Sequence, residues 1–100
     1  MPEPRKLTET FIKGLKYDGK SFVVRDTHTT GLMVGVNKRS KVYKIQRDLW
    51  RGPHGRQRLV KTVRHTLGSA DDLSLDDARL RAQEVIALIK RGIDPNATNT

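Results

Sequence analysis

One hundred residues make a single domain with one small core, because a chain of this size buries only ~60–65% of its unfolded surface and has little room for a deep catalytic cleft. The absence of cysteine excludes disulfides and cysteine–zinc sites, no apolar run approaches a membrane span, and "MPEPRKLTET" lacks the apolar middle of a signal peptide. Twenty Lys and Arg against eleven Asp and Glu give a formal charge of +9, which points a soluble, intracellular chain towards polyanions.

Thr8 is placed to cap a short helical turn, with Phe11, Ile12 and Leu15 as apolar contacts before Gly14 and Gly19 loosen the chain. "SFVVRD", 21–26, is β-branched and aromatic and reads as a strand. "THTTG" follows as a turn, and "LMVGVN", 32–37, reads as a second strand with Leu32, Val34 and Val36 on one face. "NKRSK", 37–41, is a polar hairpin connection. "VYKIQRDLW", 42–50, is the third strand, with Tyr43 and Ile45 inward and Lys44, Gln46 and Asp48 outward. "RGPHG", 51–55, turns the chain, and 56–68 returns as a fourth strand. In that strand Val60 falls on the outer register and Lys61 on the inner, unless a bulge shifts it.

After Gly68 the period changes. Leu75, Ala78, Ala82, Val85 and Ile89 mark one face of a helix over 75–91. Ser74 is its N-cap, with Asp77 three residues on. Asp76 and Asp77 suit the positive end of the helix dipole, Lys90 and Arg91 the negative end. Gly92 is placed for a left-handed stop with Ile93 folding back towards Leu88, and Pro95 forbids continuation. The expected fold is therefore α+β: a small three- to four-stranded antiparallel sheet packed against one long C-terminal helix, with a short N-terminal helical turn. Nothing remains in the chain to cover the other face of the sheet.

Charge is concentrated where that face is built. Between Lys38 and Arg64 stand ten basic residues and one acid, Asp48, so this segment holds the whole excess. A face kept basic only for solubility would mix signs. If Tyr43, Ile45, Val63 and Leu67 face the helix, then Lys44, Gln46, Thr62, Arg64 and Thr66 point away from it. Lys and Arg neutralise phosphates, and Gln and Arg can also contact base edges in a major groove wide enough for β-strands. Trp50, before the turn, either covers an edge of the core or lies against nucleic acid. Five aromatic residues in all are too few for the paired stacking platform of an RNA-binding sheet, which favours duplex DNA.

Enzymatic readings find little support. His28, His54 and His65 are scattered, and His65 falls on the inner parity of its strand. Asp71, Asp72, Asp76 and Asp77 lie at a helix start, where the dipole alone explains acids. "GLMVGV" lacks the spacing of a phosphate loop.

Taken in order, "LTETFIKGLK", "FVVRDTHTTGLMVGV", "KVYKIQRDLWRG", "RHTLG" and "LSLDDARLRAQEVIALIKRGIDP" resemble the N-terminal arm-type DNA-binding domain of phage and genomic-island integrases of the tyrosine-recombinase class. The most specific elements are "VRDT…GL", "TLG" and "LSL-x-x-AR" leading to "GIDP". The resemblance implies a sheet that holds arm sites flanking a recombination core, with side chains in the major groove. It departs from the family in two places: Lys44 and Arg47 stand where aromatic residues are frequent, and the "RGPHGRQRLVKT" hairpin is longer. The recombinase nucleophile belongs to a separate domain, and Tyr17 and Tyr43 lie in the wrong context for it.

The chain is accordingly expected to bind duplex DNA and not to be an enzyme itself, with no metal or cofactor and no membrane contact. Its expected contact set is Lys38, Arg39, Lys41, Lys44, Gln46, Arg56, Arg58, Thr62 and Arg64. Within it Gln46 and Arg64 read bases, while Lys38 and Lys41 hold phosphates from the hairpin. The expected organisation is a flexible start over 1–6, the domain over 7–95 and the beginning of a linker over 96–100. Other integrase protomers are possible partners, and the setting is the bacterial cytoplasm and nucleoid. The alternatives are a stand-alone basic RNA-binding protein and a module whose positive face meets an acidic protein.

Overall fold

The computed structural model describes residues 4–97; the first three residues of the expected flexible start and the last three of the expected linker lie outside them. The chain runs α1 (Glu9–Gly14), β1 (Phe22–Arg25), β2 (Leu32–Val36), β3 (Lys41–Arg51), β4 (Arg58–Ser69) and α2 (Leu75–Lys90). The strands form one antiparallel meander in the order β1-β2-β3-β4. β4 begins at Arg58 and not at Arg56, because the Arg56 N–H donates to Pro53 O and keeps the turn closed.

Alternation builds the core. Val24, Val34, Tyr43, Ile45, Leu49, Val63 and Leu67 all lie in one buried cluster with Leu75, Ala78, Ala82, Val85, Ile86 and Ile89 of α2. Each large side chain in it contributes roughly 1.5–3 kcal/mol. Ala78 and Ala82 are fully buried, so the helix rides close on the sheet where its side chains are smallest.

Both helix starts are capped as the sequence indicates. Thr8 Oγ1 accepts from the Phe11 N–H and Ser74 Oγ accepts from the Asp77 N–H. Glu9 adds a cap from outside the helix it serves: its Oε1 accepts from the Leu75 N–H at 2.7 Å, tying α1 to the start of α2. At the other end the Ile93 N–H reaches Leu88 O and the Gly92 N–H reaches Ile89 O, the paired bonds of a Schellman stop. Gly92 holds φ +79 there, a conformation that costs other residues a Cβ clash.

A buried ion pair joins the N-terminal segment, the β1–β2 turn and α2. The Asp26 carboxylate accepts from the backbone N–H groups of Leu7, His28 and Thr29 and from Arg79 Nε at 3.1 Å. Arg79 Nη2 donates in turn to Leu7 O at 2.8 Å. Burial pushes the Asp26 carboxyl up, but the hydrogen bonds from Arg79, Leu7 and His28 outweigh it and hold the group below its ordinary range. Before this joint, Arg5 bridges Asp26 in parallel, extending the β1 edge, and its guanidinium lies 4.0 Å over the Phe11 ring.

Candidate nucleic-acid interface

The face of the sheet opposite α2 is read directly from the strand register. Residues paired across an antiparallel ladder share a face. One row runs Arg25, Met33, Lys44, Thr66; a second holds Gln46 against Arg64, a third Asp48 against Thr62, and a fourth Trp50 against Leu59. Thr62 Oγ1 donates to Asp48 Oδ1 at 2.8 Å, which orients the one acid of the basic segment. Gly35 leaves a shallow place on this face: a Cβ there would stand 3.7 Å from Lys44 Cε, so the lysine stem crosses the strand over bare backbone.

Two register shifts in the β3–β4 ladder explain the awkward parity of the fourth strand. One lies between Tyr43 and Lys44, the other between Leu49 and Trp50. The second leaves Val60 as the extra residue, so Lys61 stays opposite Leu49 on the helix side while Leu59 moves to the outer face beside Trp50. Lys61 Nζ then meets Asp94 at 2.9 Å, and that hydrogen bond, with one from the Asn96 N–H, holds the Asp94 carboxyl below its ordinary range.

Of the nine residues expected to contact DNA, Lys44, Gln46, Thr62 and Arg64 come together on the outer face. Lys38 and Arg39 stand exposed in the β2–β3 turn, and Arg56 is exposed in the β3–β4 turn. Lys41 and Arg58 lie elsewhere. Lys41 has the parity of Tyr43, and its ammonium donates to Ile12 O at 2.7 Å and Lys13 O at 3.2 Å, satisfying carbonyls at the end of α1. Arg58 pairs with Arg51, whose Nε donates to Gly92 O behind the sheet.

Arg25 is the outer-face residue that sequence reasoning passed over. It is exposed, in the same row as Lys44, and the signal was available: buried Val24 fixes its neighbour outward. Arg47, by contrast, turns to the helix side with its Nη1 on Thr30 O. It crosses Gly31 so closely that a Cβ there would lie 2.6 Å from Arg47 Cδ, and Gly31 also holds φ +97.

His65 Nδ1 sits 2.7 Å from Asn96 Oδ1 on the helix side. Burial, and then the Glu9 carboxylate, push the Tyr43 phenol up to about 12. Among the described residues no three His, Asp or Glu side chains gather to hold a metal ion, and no helix is long and apolar enough to cross a membrane.

The basic rows, their polar partners and the uncovered face therefore have the chemistry of a nucleic-acid surface. A search of curated proteins returns no match. The family model described as "Arm DNA-binding domain" matches residues 7–100, and the chain belongs to that family, the DNA-binding module of integrases.

Proposed function

We propose that the outer face of β3 and β4 enters the major groove of duplex DNA at arm-type sites flanking a recombination core, as the N-terminal module of a site-specific integrase. The observation that carries this reading is the cross-strand pair Gln46–Arg64 at the centre of an uncovered basic face. Gln pairs with adenine N6/N7 and Arg with guanine O6/N7 through two hydrogen bonds each, so two adjacent outward side chains can read neighbouring bases. Asp48, held by Thr62, can accept from a cytosine amino group. Arg25, Lys44 and the turn residues Lys38 and Arg39 supply phosphate contacts, which position without selecting. The parent is a tyrosine recombinase whose active site lies outside this chain. It works in the bacterial cytoplasm beside other protomers, with residues 7–95 as the DNA-holding unit.

Selection from a random duplex library supplies the site. Gln46→Ala or Arg64→Ala is then expected to weaken binding by about 1–3 kcal/mol on the selected duplex and far less on a scrambled one. Equal losses on both duplexes would remove base reading from this pair. Preferential retention of structured RNA over duplex DNA in competition would replace the reading with RNA binding.

A further inference from the structure

Past the end of β2 the sheet narrows. β2 starts at Leu32 opposite Ile45, and the last bond across to it is Gln46 N–H to Gly31 O. From there β3 and β4 continue as a two-stranded ribbon to Arg51 and Arg58, five further residues or about 17 Å. The ribbon is held from behind by Arg51 on Gly92 O and Lys61 on Asp94.

The front of this ribbon is unlike the rest of the sheet. Trp50 and Leu59 form a cross-strand apolar pair on the outer face, 45% and 52% exposed, with bulged Val60 beside them at 45%. An apolar cluster this exposed on a small domain marks a contact surface. Its surroundings on this face are basic: Arg56 stands exposed in the adjoining turn, and no acid occurs in the chain from Leu49 to Ala70. A second copy would bring the same positive turn against its own. What fits apolar side chains next to a free cation at the acid-free tip of a ribbon is the sugar edge of a nucleic-acid groove beside a row of phosphates.

We propose that the ribbon tip is a second DNA contact, in which Trp50 and Leu59 pack on deoxyribose in the minor groove next to the major-groove site while Arg56 in the turn neutralises a flanking phosphate. The proposal rests on the sheet-face reading above and adds to it a fixed direction: the tip lies to one side of the bases that Gln46 and Arg64 read. Its reach, about 17 Å beyond the broad sheet, carries it past a major groove about 12 Å wide to the flanking backbone.

Trp50 is the sole tryptophan of the chain, so its emission reports the tip alone. The whole chain is titrated with a duplex carrying only the selected site, and with two others lengthened by about half a helical turn, ~5 bp, on one side or the other. Lengthening on one side only is expected to tighten binding roughly ten-fold and to change the emission of Trp50, as contact with sugar replaces water around its ring. The double variant Trp50→Ala, Leu59→Thr alters two exposed positions; it is expected to bind the short duplex as before and to lose the gain from the longer one. Unchanged affinity and emission on all three duplexes, with binding retained, would overturn the tip contact and leave the sheet-face reading standing. Emission that changes with protein concentration in the absence of DNA would overturn it in favour of self-association. Failure to bind any of the three would overturn both readings.

Discussion

Asp26 and Arg79 belong to the phrases that most mark the family, "VRDT" and "LSL-x-x-AR", and neither lies on the outer face of the sheet. They lock three parts of the chain from within, the carboxylate side chain wholly buried and the guanidinium 14% exposed. Arg79→Met leaves that carboxylate buried with only backbone donors and is expected to lower unfolding free energy by about 2–4 kcal/mol in a denaturant titration. The pH dependence follows from the direction of the shift. Asp26 ionises more readily folded than unfolded, so its contribution is complete above the ordinary carboxyl value of 3.8 and is lost as pH falls through the lower folded value. In Arg79→Met the burial effect loses its main opponent, and the acid limb of the melting-temperature profile moves to higher pH. Lys41 makes the complementary case. The polar hairpin beside it suggests a phosphate contact, and in the fold its ammonium closes the end of α1. Lys41→Met is expected to cost about 0.5–1.5 kcal/mol of stability and to leave duplex affinity unchanged, measured by thermal melting and fluorescence anisotropy.

α2 was the most legible element because its signals are local. The apolar period, Ser74 and Gly92 lie within a few residues of the backbone groups they act on, and the structure uses each as the sequence indicates. Ser74→Ala is expected to lower stability by about 0.5–2 kcal/mol, a change that a melting curve would register and that duplex affinity below the transition would not. The extra cap from Glu9 could not be read, since its partner is Leu75 and the pairing depends on how α1 settles on the sheet. β4 was the least legible for a related reason. Its alternation holds from Lys61 to Leu67 and shifts at Val60 and again past Leu67, and both shifts are decided by pairing with β3, where one strand has a residue more than its neighbour. The shift at Val60 placed Leu59 beside Trp50 and sent Arg58 to the other side.

Across the molecule, charge and packing divide by face. The helix side of the sheet buries its apolar residues and commits four basic ones to internal partners: Lys41 on α1, Arg47 on Thr30, Arg51 on Gly92 and Lys61 on Asp94. The outer side shows Arg25, Lys44, Gln46 and Arg64 to solvent, with Trp50 and Leu59 at its far end. Composition gave the excess charge and strand parity gave most of the face. The division of ten basic residues between structure and surface needed the contacts themselves. The claim at the centre is that the sheet, and not the helix, receives DNA. Amide shift mapping of the whole chain with a short duplex tests it most directly. The largest changes are expected at Arg25, along 44–48 and along 62–66, with 78–90 nearly still; large changes along 78–90 with 44–48 and 62–66 unmoved would make α2 the reader and contradict the assignment of faces.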